Sequence, residues 1–231
     1  MNIFIAKIEG REAILTPEES WHCSRVLRHQ AGEQIQVIDG MGNFYRGTLS
    51  LVSDKCCKAS ITAGPETQDK RNYSLHLAIA PTKQIDRIEW MVEKAVEMGL
   101  DEISFIQCKN SERTVLKIDR IQKIVESAVK QSLQARIPKI NALQAYSPFI
   151  KERTESQKWI AYCGQVHKTS VKVVNFKNNA SLVLIGPEGD FTPEEVDLAM
   201  GQGFKVLSLG DNRLRTETAG LVVCQAASLL S

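Results

Sequence analysis

Between Leu182 and Gly220 two apolar runs each end in a glycine turn, and this pairing restricts the fold more than any other feature of the chain. The first run, Leu182 to Ile185, enters Gly186-Pro187-Glu188-Gly189. The second, Phe204 to Leu209, enters Gly210. Four consecutive apolar residues suit a strand buried on both faces, as in a parallel sheet. Glycine permits φ > 0 and close backbone approach, and Pro187 stiffens the first turn. A polar stretch, 213–218, then leads into a last helix. Ligands of open α/β sheets bind outside the carboxyl ends of strands, so the two turns are expected to wall one ligand site. Either turn alone is equally well a plain strand-to-helix loop.

The grammar of the chain changes near Tyr73. Before it, short strands dominate: Asn2 to Ile8, Ile35 to Ile38, Phe44 to Val52 and Ala59 to Ala63, with a helical turn from Pro17 to Leu27 and a turn at Asp39-Gly40-Met41-Gly42. These predict a small β-barrel, with a linker over 64–72. After it, strands alternate with helices. Strands are expected at 75–80, 102–106, 159–163, 182–185 and 204–209. Helices are expected at 85–98, 118–134, from Thr192-Pro193, and at 216–230. Thr192, Pro193 and Glu195 supply an N-cap, a proline at the first helical position and a capping glutamate. The fold class is therefore α/β, with a mostly parallel sheet covered on both faces and a small β-barrel ahead of it. The expected domains are 1–70 and 71–231.

With 231 residues the chain can bury a core without covalent staples. Its six cysteines and four histidines form no zinc pattern, so free thiols and no metal are expected. No window approaches 18 uninterrupted apolar residues, and the N-terminus has no secretory pattern, which predicts a cytoplasmic protein with no membrane association. A net charge of +2 says little, but its distribution says more: residues 107–139 carry eight basic and three acidic groups, enough to attract phosphate locally. Lys117, Arg120, Lys123 and Lys130 lie on or beside one side of the expected helix 118–134. They are either an RNA-phosphate surface or a solvated face. Neither a dinucleotide-binding Gly-x-Gly-x-x-Gly nor a phosphate loop is present.

The segment LIGPEGDFTPEEV (184–196), followed by LSLGDNRLRTETAG (207–220), resembles the C-terminal signature of the bacterial ribosomal RNA small subunit methyltransferase E family, part of the SPOUT superfamily of knotted methyltransferases. The resemblance spans the chain. His22, Val26, Leu27 and Arg28 fit the family's N-terminal segment. Lys83, Arg87, Glu89, Lys94, Ala95, Glu97, Gly99 and Leu100 fit its central helix, and Gln131, Ser132 and Pro138 fit the segment after it. Three positions depart from the family pattern. Asp190 replaces a third glycine, Lys130 a common glutamate and Gln134 a usual arginine, with Arg136 offering a positive charge two residues on.

The resemblance implies a PUA-like RNA-binding barrel followed by a SPOUT methyltransferase domain with a deep trefoil knot. It also implies a homodimer, S-adenosylmethionine (SAM) as cofactor, and methylation of N3 of a uridine in 16S rRNA, by convention U1498, in the small ribosomal subunit. Carried over residue by residue, it places Leu184, Ile185, Gly186, Pro187, Glu188, Gly189, Leu207, Leu209, Gly210, Leu214, Arg215 and Thr218 around SAM. Glu188 would accept from the cofactor amine or cap the following helix. Arg215 and Glu217 are the catalytic candidates, as a fixed cation and a weaker base. Arg25, Arg28, Lys117, Arg120, Lys123, Lys130 and Arg136 are the RNA-binding candidates. Two other readings stay open: a SPOUT enzyme acting on another base or a ribose hydroxyl, and an RNA-binding assembly factor.

Overall fold

Alternating apolar residues in β1 (Ile3–Glu9), β2 (Glu12–Leu15), β3 (Gln34–Ile38), β4 (Asn43–Leu51) and β5 (Lys58–Thr67) turn one side of each strand inward. The five strands close into a barrel in the order β1-β2-β5-β4-β3, in the computed structural model of residues 3–67 and 71–231. Asn2 of the expected first strand and residues 68–70 of the expected linker lie outside the described residues. A parallel β1–β3 pair completes a ring that is otherwise antiparallel, so no strand is left with a free edge. Phe4, Ala6, Leu15, Val37, Leu49 and Ala59 fill its interior. Between β2 and β3, Thr16 caps α1 (Pro17–Trp21) by accepting from the Glu19 N–H at 3.2 Å. The expected helical turn does not run on as an α-helix. It widens into a π-helical turn, His22–Val26, and Arg28 follows with φ of +56°.

The chain divides into two compact units. The first comprises Met1–Lys70 together with Val129–Ile137; the second comprises Arg71–Ala128 and Pro138–Ser231. Backbone hydrogen bonds explain why Val129–Ile137 counts with the barrel: Gly42 N–H donates to Ala135 O at 3.1 Å, and Ile137 N–H to Gly40 O at 2.9 Å. The Asp39 carboxylate holds the same turn by accepting from the Met41 and Asn43 N–H groups.

The second unit is built on a seven-stranded sheet of β6 (Ser74–Ile79), β7 (Glu102–Gln107), β8 (Lys139–Ala145), β9 (Gln157–Ala161), β10 (Thr169–Ser170), β11 (Ala180–Ile185) and β12 (Lys205–Ser208). Every neighbouring pair is parallel, in the order β10-β12-β9-β11-β6-β7-β8. The helices of the alternating region are α2 (Ile85–Glu97), α3 (Ile118–Gln131), α4 (Tyr146–Lys151), α5 (Pro193–Gly201) and α6 (Thr216–Leu229). α6 packs against α2, β6 and β11. Residues of α4 and α5, among them Phe149, Val196 and Ala199, share a core with Ala78, Ile160 and Leu184 of the sheet. α5 starts on the expected capping box, with Thr192 and Glu195 reciprocally bonded. β2, β8, α4 and β10 have no counterpart in the sequence reading. β8 is an edge strand with no fully buried residue, so its composition carries no clear alternation. β10 is two residues long.

A buried polar network crosses the sheet at the amino ends of β7 and β8, away from the glycine turns. His76 Nδ1 lies 2.8 Å from Glu155 Oε1, and its Nε2 lies 2.8 Å from Ser104 Oγ. Asn141 donates to Glu102 and Ser104, and the Lys139 ammonium sits 2.9 Å from Glu102. Burial alone would raise the Glu155 carboxyl, but the His76 hydrogen bond and neighbouring positive charge bring it below the ordinary value of 4.5. A depressed native carboxyl stabilises the fold above its unfolded value, and that contribution disappears as pH falls through the native one. Glu155→Gln is therefore expected to be less stable than the parent at pH 7, with the gap closing below about pH 4. Urea unfolding across that range checks it, and a gap independent of pH would refute it.

Candidate active site

Three connections leave the carboxyl ends of adjacent parallel strands, β12, β9 and β11, and surround a cleft of about 520 Å³. Such a volume suits a small-molecule ligand. Ile185, Gly186, Pro187 and Glu188 follow β11 along one wall. Leu207, Leu209 and Gly210 come from the end of β12, and Leu214, Arg215 and Glu217 from the entry to α6. These ten expected residues are brought together. Leu184, Gly189 and Thr218 stand outside the lining: Leu184 is fully buried in the sheet core, and Thr216 rather than Thr218 faces the cleft. The Thr216 hydroxyl donates to Gly186 O at 3.0 Å, tying the start of α6 to the first glycine turn.

The first turn takes its shape from a residue other than its glycines. Neither Gly186 nor Gly189 has positive φ; Asp190 does, at +62°. Its carboxylate accepts from Phe191 N–H at 2.8 Å and from Cys163 N–H at 2.9 Å, so it pins the connection after β9 to the connection after β11. Gly189 matters through space: a Cβ there would come 3.0 Å from Asn110 Cβ, and Asn110 donates to the carbonyls of Gly189 and Asp190. Glu188 caps no helix of its own. It accepts from Lys83 N–H at 2.9 Å, and Arg113 braces that loop by donating to the carbonyls of Thr82 and Lys83.

Aspartate tolerates the left-handed region better than alanine, and each of its two hydrogen bonds contributes about 1 kcal/mol. Asp190→Ala is expected to cost about 2 kcal/mol, and Asp190→Gly about 1 kcal/mol because glycine adopts φ > 0 freely. Chemical denaturation orders the two variants, and a glycine variant less stable than the alanine one contradicts this account.

Charge in the cleft is distributed unevenly. Glu217, in the first turn of α6, is buried and sits 3.7 Å from the Arg87 guanidinium. Arg215, the residue capping α6, is exposed and has no ion-pair partner among the described residues. Cys163, Tyr162, Lys168, Arg87 and Arg213 also line the cleft and were not among the expected residues. Arg87 had already appeared in the resemblance, on the central helix. Tyr162 and Cys163 follow a strand, β9, whose place beside β11 only the sheet order reveals. Burial, then the Asp190 carboxylate, push the Cys163 thiol above its ordinary value, so it is no thiolate nucleophile at neutral pH. Among the described residues no group of three His, Cys, Asp or Glu side chains is arranged to hold a metal ion, and no helix is long and apolar enough to cross a membrane.

Residues 69–228 match the RNA methyltransferase domain family, and residues 15–62 match the RNA methyltransferase PUA domain family. The ribosomal RNA small subunit methyltransferase E of Mesomycoplasma hyopneumoniae is 31% identical over 160 residues, covering 67% of this chain and 68% of that protein. The chain belongs to the ribosomal RNA small subunit methyltransferase E family. A crystal structure described as a probable rRNA-methyltransferase from Porphyromonas gingivalis superposes with a TM-score of 0.89 at 39% identity, over 100% of this chain and 98% of that one. The methyltransferase E of Neisseria gonorrhoeae, solved bound to S-adenosyl methionine, superposes with a TM-score of 0.82 at 26% identity, over 100% and 98% of the two chains. The α/β architecture of this methyltransferase E family member is a PUA-like closed barrel followed by a SPOUT-type domain.

Several basic residues that this family member was expected to offer to RNA are already paired. Arg25 binds Asp54 at 2.7 Å, Arg120 binds Glu89 at 2.6 Å, and the Lys130 ammonium sits 2.5 Å from the buried Glu19. Arg136 forms backbone bridges to Gly40 and Met41. Arg28, Lys117 and Lys123 are exposed. Trp159 is buried, while Trp21 and Trp90 are about half exposed.

Proposed function

We propose that this protein uses SAM to methylate ribosomal RNA, and that its acceptor is N3 of a uridine in 16S rRNA, U1498 by convention. The observation that carries the reading is the cleft formed by three connections at the carboxyl ends of β9, β11 and β12. Its walls fit the cofactor. Ile185, Leu207, Leu209 and Leu214 supply apolar surface for an adenine, while the chain at Gly186 and Gly210 offers backbone polar groups without side-chain obstruction. The SAM-bound relative supports the same assignment. When bound, SAM supplies an activated methyl group, so the protein has to orient the acceptor and handle one proton.

A neutral imide nitrogen is a poor nucleophile, so the uracil N3–H must be lost at or before transfer. Arg215 is the candidate to stabilise the resulting imide anion and its flanking carbonyls, because it lines the cleft, is exposed and has no ion-pair partner among the described residues. Glu217 is the second catalytic candidate. Its carboxylate faces Arg87, which favours orienting that guanidinium over removing a proton. The protein is further read as a cytoplasmic homodimer acting on the small subunit, with the exposed Trp90 of α2 suited to a subunit contact.

Labelled methyl transfer to small subunits lacking the modification tests the reading, with nucleoside mass spectrometry and nucleotide mapping of the product. N3-methyluridine at the expected position is the predicted product. A methylated ribose, or no transfer to any ribosomal particle despite SAM binding, overturns it.

A further inference from the structure

We propose that the groove beside the cleft, between the β9–β10 connection and the turn after β12, holds RNA phosphates flanking the acceptor base, with Lys168 and Lys172 of the groove and Arg213 of the adjoining cleft as their ligands. The inference rests on the RNA methyl-transfer reading above. A second cavity, also about 520 Å³, adjoins the first, and Cys163, Lys168, Ser208, Gly210 and Asp211 line both. The two spaces therefore share a wall along the end of β12.

Charge separates this groove from the cleft. Three of the four carboxylates that line the cleft are already engaged: Asp190 by two backbone N–H groups, Glu188 by Lys83 N–H and Glu217 by Arg87. Among the residues that line both spaces, Asp211 is the one carboxylate. Lys172 and Arg213 are exposed and have no ion-pair partner among the described residues. The Lys168 ammonium donates to Cys163 O at 3.0 Å, which holds it at the junction and leaves its remaining protons for another acceptor. Lys172 is also well placed. It sits in a single 3₁₀ turn, Val171–Val173, whose flanking Val171 and Val174 are buried and whose start is capped by Ser170. By contrast, Arg25, Arg120 and Lys130 would each have to give up an internal carboxylate to reach phosphate.

The chemistry of the acceptor selects the occupant. N3 lies on the pairing edge of uracil, so the base must be unpaired and drawn from its stack to reach the cleft. A base inserted there brings its two flanking phosphates to the rim. Unpaired lysine and arginine side chains beside such a pocket are the usual means of following a single-stranded backbone.

Lys172 does not line the cofactor cleft, so its replacement separates the two sites. In Lys172→Ala the KM for unmodified small subunits is expected to rise about five-fold, and in Lys172→Glu further. The slope of log affinity against log salt should fall by about one in the alanine variant. SAM affinity by calorimetry is expected to stay within two-fold of the parent. Arg213→Gln should shift the salt slope in the same direction. Unchanged RNA affinity and salt slope in all three variants overturns the proposal. So does a matching loss of SAM affinity in Lys172→Ala, which would make the groove part of the cofactor site. If the parent protein transfers no methyl group, the methylation reading fails separately, and filter binding of unmodified small subunits across salt still decides whether Lys172 contacts phosphate.

Discussion

Arg215→Ala is expected to lower kcat by about a hundred-fold while SAM affinity changes less than about three-fold. The residue sits where the chain turns from the β12 connection into α6, with extended backbone at φ of −72° and ψ of 156°. Its Cα position is held by the helix that follows, because Ala219 N–H donates to Arg215 O at 2.8 Å. The adjacent Thr216 hydroxyl anchors the same point to Gly186. A guanidinium on such a fixed base, with no internal carboxylate to neutralise it, stabilises an imide anion better than water does. Arg215→Lys should recover part of the loss: it restores charge but not the planar fork that can engage a carbonyl and a phosphate together. Steady-state kinetics with saturating small subunits, paired with calorimetric SAM binding, separates the two effects. Equal large losses in turnover and SAM affinity would move Arg215 to cofactor binding and out of catalysis.

The second large effect is on stability. Lys130→Ala is expected to destabilise the protein by about 3 kcal/mol, because it strands a buried carboxylate. Glu19 is only 5% exposed, its Oε1 meets the Lys130 ammonium, and its Oε2 has no hydrogen-bond partner among the described residues. The cost comes from leaving one charge behind. The double variant Glu19→Gln, Lys130→Met removes both and should recover most of the loss. Equilibrium unfolding of the single and double variants decides the matter. A single-variant cost below about 1 kcal/mol would mean that water reaches Glu19 freely. The departure of Lys130 from the family's usual glutamate thus has a structural partner in this chain, and the same pairing removes it from the set of cations free to meet RNA.

Periodicity made most of the second unit legible. The continuous apolar runs of β6 and β11, the helical spacing of α2 and the Thr192-Pro193-Glu195 start of α5 each encode their own conformation within a few residues. β8 and β10 were not legible, because an edge strand and a two-residue strand are defined by the neighbours they pair with. The π-helical turn at His22–Val26 is not legible either, because its residues equally suit an α-helix.

The candidate site divides in the same way. Local sequence marked the two glycine turns, since backbone shape at a strand end depends on nearby residues, and the family resemblance added Arg215 and Glu217. Which strands lie side by side was beyond it. The order β12-β9-β11 brings Tyr162 and Cys163 into the cleft, makes Asp190 a tie between two connections, and joins the cleft to the groove of Lys168 and Lys172. The sequence by itself determined the elements, the two turns and the cations available. Tertiary structure alone decided which carboxylate each cation meets, and so which positive charges remain for a ligand, because an ion pair depends on distance in space between residues that can lie more than a hundred positions apart in the chain, as Lys130 and Glu19 do.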